Sequence, residues 1–314
     1  MKRLFVILVW VLVASGAWAQ DDAAFTHFWK LRTLHNPAAA GLGSMLDVNG
    51  AYRMEMAGFE NGGQVFVLQA DMPLFFLSPR HGVGLGFMND KIGLLSNKRM
   101  WVDYAYHHPF GRRHRVSGGI RIALLSNAFK GSGAVTEGAG DNVIPSTDLN
   151  GMGFDLDMGL RYDCGEVWHV GVACTHLLSP VVSLGDEKRY QVAFAPTLAA
   201  MGGYCLTLRN REFRMMADAM VRSNFQSWRA DVALRVAYDG SKVRMYAGLN
   251  YSPTVSVALL LGFNFHGAKI GYSYEMYTGG IAVQNGTHEL TVGYELDLSV
   301  VRRGRNFHQS VRWL

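Results

Sequence analysis

The sequence is short of charge. Only 18% of its 314 residues are Asp, Glu, Lys or Arg, where a soluble domain carries about 25%. Cysteine is scarce too: Cys164, Cys174 and Cys205 are an odd number, which excludes a complete disulfide framework and predicts free thiols. Beyond residue 20 no apolar run approaches the roughly 18 residues of a membrane helix; the longest, about Val255 to Leu261, is broken by Ser256. What is abundant points the other way. Hydrophobic residues make up 49% and aromatics 12%, too apolar for a disordered chain. Glycine occurs 36 times, well above the usual share of about 7%. Ala, Glu, Lys, Leu and Arg do not dominate, so a coiled coil is excluded as well.

The first twenty residues read as an export signal. Lys2 and Arg3 form a basic head, Leu4 to Ala14 an apolar stretch, and Ala17-Trp18-Ala19 a small-residue cleavage site with Gln20 as the mature start. Without a cysteine after that site, lipid anchoring there is not expected. An exported, apolar chain with no spanning helix leaves two outlets, a secreted β-protein or an outer-membrane β-barrel.

Period-2 alternation runs through most of the mature chain, as strands with two unlike faces require. Leu290, Val292, Tyr294, Leu296, Leu298 and Val300 oppose Glu289, Thr291, Gly293, Glu295, Asp297 and Ser299. Similarly, Phe154, Leu156, Met158, Leu160 and Tyr162 oppose Asp155, Asp157 and Arg161. A soluble sandwich also alternates, but it shows Lys, Glu and Thr to water, and lysine is rare in these strands. Tyr52, Trp101, Tyr162, Trp168, Trp228, Tyr238, Tyr251 and Tyr294 sit near strand ends, where aromatic girdles flank a lipid band. The barrel is favoured over the sandwich.

Segment counting gives about fourteen strands, centred near residues 48, 68, 86, 103, 120, 158, 172, 198, 217, 232, 247, 259, 272 and 295. Short turns at Gly111-Arg112, Asp163 to Glu166, Asn210, Asp239-Gly240-Ser241 and His266-Gly267 alternate with longer connections at 128–150, 178–188 and 278–287. Short turns belong to the periplasmic side and long loops to the outside. Two connections run against the pattern: Ser252-Pro253 is short for an outer loop, and 73–81 long for an inner turn. The expected layout is a signal peptide over 1–19, a plug-like N-terminal segment over 20–43, an all-β transmembrane antiparallel barrel over 44–300, and a tail over 301–314. That tail carries Arg302, Arg303, Arg305 and Arg312 with no acid. The chain's basic balance is therefore local, and no nucleic-acid partner is expected.

Enzyme chemistry finds no foothold. Gly82 to Phe87 lacks the spacing and helix of a nucleotide loop, and Asp148-Leu149-Asn150-Gly151 fails the calcium-loop pattern at Met152. His107 and His108 point to opposite faces of one strand, and no HExxH is present. Nothing places His169, His176 or His288 beside a serine. No catalytic residue, cofactor or metal is expected. The inner face instead collects both signs of charge at Asp103, Arg121, Asp155, Asp157, Arg161, Arg214, Asp218, Arg229, Asp231, Arg235, Arg244, Glu275, Glu295 and Asp297. These either wet the interior or cross-link it; a conduit for fatty acids would be apolar instead.

One set of local patterns recurs in a fixed order. Asn36-Pro37-Ala38-Ala39-Ala40-Gly41 follows an aromatic N-terminal segment, and Gly82-Val83-Gly84-Leu85-Gly86 leads to Asn89-Asp90-Lys91-Ile92-Gly93. Asp103 to His107 and Arg189-Tyr190 come next, then Ile270-Gly271-Tyr272-Ser273-Tyr274-Glu275 and Gly286-Thr287-His288-Glu289-Leu290. In this order and spacing the chain resembles the PorP/SprF family of type IX secretion system outer-membrane proteins. The resemblance implies a barrel needed to deliver exported cargo to the cell surface, in some members gliding adhesins. It implies outer-membrane lipid, cargo protein and periplasmic components of the machine as partners, and it brings no catalytic motif. Asn36, Pro37, Gly41, Tyr272, Tyr274, Glu275, His288 and Glu289 are the residues that carry it most directly. The basic tail, with Trp313 as an aromatic anchor, is a candidate docking element for a periplasmic partner; binding to anionic lipid headgroups, or no specific role, is the equal alternative. A free-standing porin or hydrophobic-solute transporter is the alternative.

Overall fold

The structure is a computed structural model and describes residues 23–59, 62–75, 77–133, 147–185, 190–210, 212–240, 243–279 and 285–297. The expected signal peptide with its Ala19–Gln20 cleavage site, and the tail bearing Arg302, Arg303, Arg305, Arg312 and Trp313, lie outside the described residues.

Fourteen antiparallel strands close into a barrel. In chain order they are β1 (Leu46–Met54), β2 (Gln64–Pro73), β3 (His81–Ile92), β4 (Leu95–Phe110), β5 (His114–Phe129), β6 (Leu149–Cys164) and β7 (Trp168–Thr175), followed after a small hairpin by β10 (Thr197–Thr207), β11 (Phe213–Ser223), β12 (Trp228–Asp239), β13 (Val243–Ser252), β14 (Ser256–Phe265), β15 (Ala268–Tyr277) and β16 (Thr287–Leu296). The hairpin comprises β8 (Val181–Leu184) and β9 (Tyr190–Ala193). Neighbours in sequence are neighbours in the wall. β7 pairs with β10 across the hairpin, and β1 meets β16 from Leu46↔Leu296 to Met54↔His288. All fourteen expected centres fall inside barrel strands.

The period-2 pattern sorts the side chains as lipid outside requires. Leu85, Val102, Leu160 and Leu234 are each about 60% exposed on the outer face, while Asp103, Arg121, Asp155 and Asp157 are fully buried on the inner one. Closure is what permits this arrangement, because hydrocarbon offers a bare sheet edge no hydrogen-bond partner.

The rim where β1 starts and β16 ends carries the short turns, which identifies it as the periplasmic one. The opposite rim bears the long connections between β5 and β6 and between β7 and β10. The two irregular connections persist, since Pro73 to His81 is long and Ser252 to Ser256 is tight with Thr254 at positive φ, and a third joins them: Ile92 to Leu95 makes a two-residue turn on the outer rim. All three cysteines are free.

Two expectations need correction. Trp101 is no girdle residue: it lies on the inner face of β4, 3% exposed, with the Arg121 guanidinium 4.7 Å from its ring centre. Position near a strand end could not reveal this, because β4 runs sixteen residues and Trp101 sits well inside it. The stretch 178–188 is not simply a loop. It contributes β8 to the hairpin, which lies on the inner face and turns Val182 and Leu184 toward the wall to pack on Leu125 of β5. Four-residue strands are too short to show a period.

Candidate functional site

The inner face is where the N-terminal segment lies. Phe25, Leu31, Ala38, Ala39 and Ala40 are essentially fully buried, Phe28 nearly so, and Trp29 half-buried. Phe25, Leu31 and Leu34 pack with Val65, Val67 and Trp101 of the wall, and Phe28 packs with Met220, Ala233 and Leu260.

Local chemistry shapes this segment. A single helical turn, α1 (Arg32–His35), ends at Asn36, whose backbone is extended because a residue before proline is pushed out of the helical region. A 3₁₀ turn over Pro37–Ala39 follows, with proline at its first position and the Asn36 side chain accepting from the Ala38 N–H at 2.8 Å. The Asn36 amide also donates to the carbonyls of Leu160 and Val172, on β6 and β7. The turn comes so close to the wall that a Cβ on Gly119 would strike the Pro37–Ala38 backbone, and one on Gly159 the Asn36 side chain. Gly41, at φ +69°, turns the chain toward the rim and donates its N–H to Asp71 at 2.8 Å.

Charged side chains of the wall hold the segment at further points. Arg121 binds Asp103 through Nε (2.6 Å) and Nη2 (2.9 Å), and donates to the carbonyls of Leu34 (2.9 Å) and Thr33. Those are the carbonyls a helix C-terminus leaves unmet. Glu289 accepts the backbone N–H groups of Thr26 (2.7 Å) and His27 (3.0 Å) and faces the His27 Nδ1 at 2.7 Å. Asp47 takes Arg32 at 3.0 Å and Lys269 at 2.8 Å. Trp29 lies under the Arg235 guanidinium at 3.8 Å, and Arg235 is itself paired with Asp218.

Around these contacts the inner charges neutralise one another. Arg53 bridges Glu275 (2.6 Å) and Glu289 (3.6 Å), Arg99 binds Asp157 (2.7 Å) and Asp155 (3.3 Å), and Arg229 binds Asp231 (3.1 Å). His176 meets Asp155 at 2.6 Å. Of the two readings left open for the charged face, this supports cross-linking. A cavity beside α1, lined by Leu34, Arg99, Thr175 and Arg222, measures about 30 Å³, the space of a water molecule or two. Two groups on the segment titrate unusually. Burial holds the His27 imidazole below its ordinary range in spite of Glu289, and burial with the nearby Lys269 and Arg235 charges brings Lys30 down to about 8.

The residues carrying the family resemblance divide between the two faces. Asn36, Pro37, Gly41, Glu275 and Glu289 meet inside. Tyr272, Tyr274 and His288 lie outside, where the Tyr272 hydroxyl contacts His288 Nδ1 at 2.7 Å and the Tyr274 ring lies tilted against the same imidazole, with ring centres 5.1 Å apart. Of the two adjacent histidines, His107 faces inward and donates from Nε2 to the Ala40 carbonyl, while His108 faces out. Asp47, Arg53, Asp71 and Arg99 were not singled out from sequence. For the first three, the alternation of β1 and β2 carried the signal; Arg99 follows the polar run Ser96-Asn97-Lys98, which masks it. Among the described residues no cluster of three or more His, Cys, Asp and Glu is arranged to hold a metal.

Comparison with known proteins agrees with this architecture. Residues 17–294 match the family described as type IX secretion system membrane protein PorP/SprF. No curated protein matches the chain significantly. Among solved structures, the barrel is similar to the Ralstonia pickettii toluene transporter TbuX, with a TM-score of 0.51, 13% identity, and coverage of 84% of this chain and 92% of that one. It is also similar to the CymD monoaromatic hydrocarbon channel, with a TM-score of 0.52, 13% identity, and coverage of 90% and 97%. At such identities the likeness is one of fold, that of an outer-membrane barrel.

Proposed function

Because the chain belongs to the PorP/SprF family of type IX secretion system membrane proteins, an outer-membrane barrel family, we propose that it supports the delivery or surface attachment of exported cargo proteins as a docking component rather than a conduit. Its loops at the outer rim would meet cargo, and its periplasmic rim other components of the machine. The observation that carries this reading is the occupied inner face. A segment of the chain itself, fixed by Arg121, Glu289 and Asn36, takes the place a solute path would need. The segment serves as a plug, and the layout of signal peptide, plug, barrel and basic tail belongs to the same proposal.

A passage for apolar solutes, suggested by the names of the structural neighbours, calls for an apolar interior. Here the interior is lined by paired carboxylates and guanidinium groups. Two measurements test the proposal together. The purified barrel in planar bilayers should show no steady single-channel conductance, and cells lacking the chain should fail to display a cargo protein at the surface. Steady conductance with normal display would overturn it in favour of a porin.

A further inference from the structure

The barrel wall is uneven in height. β6 runs sixteen residues up to Leu149, yet β7 pairs only with Met158–Cys164 and stops at Thr175, opposite the first residue of β10. Above that level, from Leu149 to Asp157, β6 is laddered to β5 alone. Backbone bonds show which way its edge faces. Leu177 N–H donates to the Leu156 carbonyl and Gly185 N–H to the Asn150 carbonyl, both at 3.0 Å. Even-numbered residues of β6 therefore direct their N–H and C=O away from β5. Between those two bonds, the backbone groups of Met152 and Phe154 point sideways along the sheet, away from β5, and among the described residues no strand pairs with them.

The β8–β9 hairpin does not cover this edge. It lies on the inner face, with Val182 and Leu184 packed on Leu125. The side chains of Met152 and Phe154 point outward, 84% and 50% exposed, in line with Leu156, Met158, Leu160 and the girdle residue Tyr162. The tilted strand from Tyr162 to Met152 climbs about 25 Å, the height of a barrel's apolar band. Met152 thus marks the outer boundary of that band, and Phe154 lies within it. Lipid-exposed sheet edges do not occur at such depth, because nothing there satisfies the backbone.

We propose that the short edge at Met152–Phe154, between those two bonds, is a strand-addition site that takes one extended segment of a partner polypeptide. The donor and acceptor groups on offer are main-chain groups at strand spacing, which an extended peptide matches and a lipid or a helix does not. Such a segment would turn alternate apolar side chains to the lipid beside Met152 and Phe154. Its other side chains would be small, since inward they meet Val182 and Pro180 close to Gly153. A second barrel fits less well, because its own β6 is backed by β5 and set in the same notch above β7. That the segment comes from an exported protein rests on the function proposed above; the pairing itself does not.

The test places a photoreactive residue at Met152, at Phe154 and, as a control on a fully paired stretch, at Met158, in the full chain in cells. Attachment from Met152 and Phe154 to a single partner segment, at positions two residues apart, with Met158 reaching lipid alone, is the expected result. Attachment to lipid only, within the same chain, to a second copy, or without the two-residue spacing would overturn the proposal. A second measurement uses Met152→Pro, which removes an N–H pointing away from β5 and leaves the β5 ladder whole. The cross-link from Phe154 should then be lost while heat-modifiable barrel is retained, whereas Met152→Ala should keep both. A Phe154 cross-link that survives Met152→Pro would overturn the proposal. Surface display in cells lacking the chain reports on the broader function separately, so either reading can fail alone.

Discussion

Glu289 on the last strand holds His27 near the start of the segment, receiving its backbone N–H at 3.0 Å and facing its Nδ1 at 2.7 Å. Both side chains are fully buried. With the His27 imidazole neutral, each hydrogen bond lost from this buried carboxylate costs about 1.5–3 kcal/mol. Glu289→Ala is expected to free residues 23–30 while the barrel still assembles. Amide exchange over that stretch should rise against an unchanged β3–β6 wall; unchanged exchange would mean the apolar contacts of Phe25 and Phe28 suffice.

Arg121 is the second anchor, and its role depends on shape as much as charge. A guanidinium reaches Asp103 with two nitrogens while serving two carbonyls of α1 and lying along Trp101; a lysine ammonium cannot do all of these. Arg121→Lys should therefore resemble Arg121→Met, and each should increase proteolysis within residues 30–36 in the assembled protein. Full protection in the lysine variant would contradict the argument.

Docking of the segment should depend on pH in two windows. The docked His27 titrates below its ordinary value of 6.5, so under pH 6.5 the released segment binds a proton that the docked one does not. Docking should weaken as pH falls through that range and level off below the docked value. Lys30 behaves at the alkaline end: between about 8 and 10.5 only the released amine is protonated, so docking should strengthen as pH rises. Each slope is at most about 1.4 kcal/mol per pH unit. Exchange of residues 24–31, corrected for intrinsic rates, reads both, with His27→Gln flattening the acid limb and Lys30→Met the alkaline one.

The lipid face makes a graded prediction. Leu259 lies well within β14, half exposed on the outer surface. Arginine there should cost about 2–4 kcal/mol of insertion, while Leu296→Arg, at the periplasmic end of β16, should cost about 0–1. Folding titrations into lipid vesicles would show the order; equal penalties would misplace the band.

Gly159→Ala offers a steric test of the seat under Asn36. The new methyl would meet the Asn36 amide and the Pro37 ring, so it should dislodge the 37–39 turn without disturbing the β5–β6 ladder. Combining it with Asn36→Ala should relieve part of the effect, measured as exchange of the Ala38–Ala40 amides.

Most of the barrel was legible in sequence because the lipid imposes one rule on every strand. Outer residues such as Leu160 and Leu234 must be apolar, and the opposite face is then read by subtraction. Trp101 broke that rule of thumb because an aromatic side chain suits a girdle and an arginine platform equally. The β8–β9 hairpin, at four residues a strand, offers too few positions for a period to emerge. The hold of Arg121 on Leu34 was not readable at all: its acceptor is a backbone carbonyl, which carries no mark in the sequence. Glu289 was noticed as part of a recurring pattern, but its partners lie some 260 residues away in the chain, beyond any local signal.

The hydrogen bond from Thr26 to Glu289 joins positions 263 apart, and this imposes an order on biogenesis. The segment is synthesised before any strand of the wall, yet its receptor on β16 follows the other thirteen barrel strands, and the seam between β1 and β16 shuts beside the same carboxylate. Such distant closure is a slow step. Until it happens the leading aromatic residues must be shielded in some other way, and afterwards they certify that the barrel is complete. A chain cut short before β16 would lose its lock together with its final stave, so an unfinished product would advertise itself to periplasmic proteases by a loose front end.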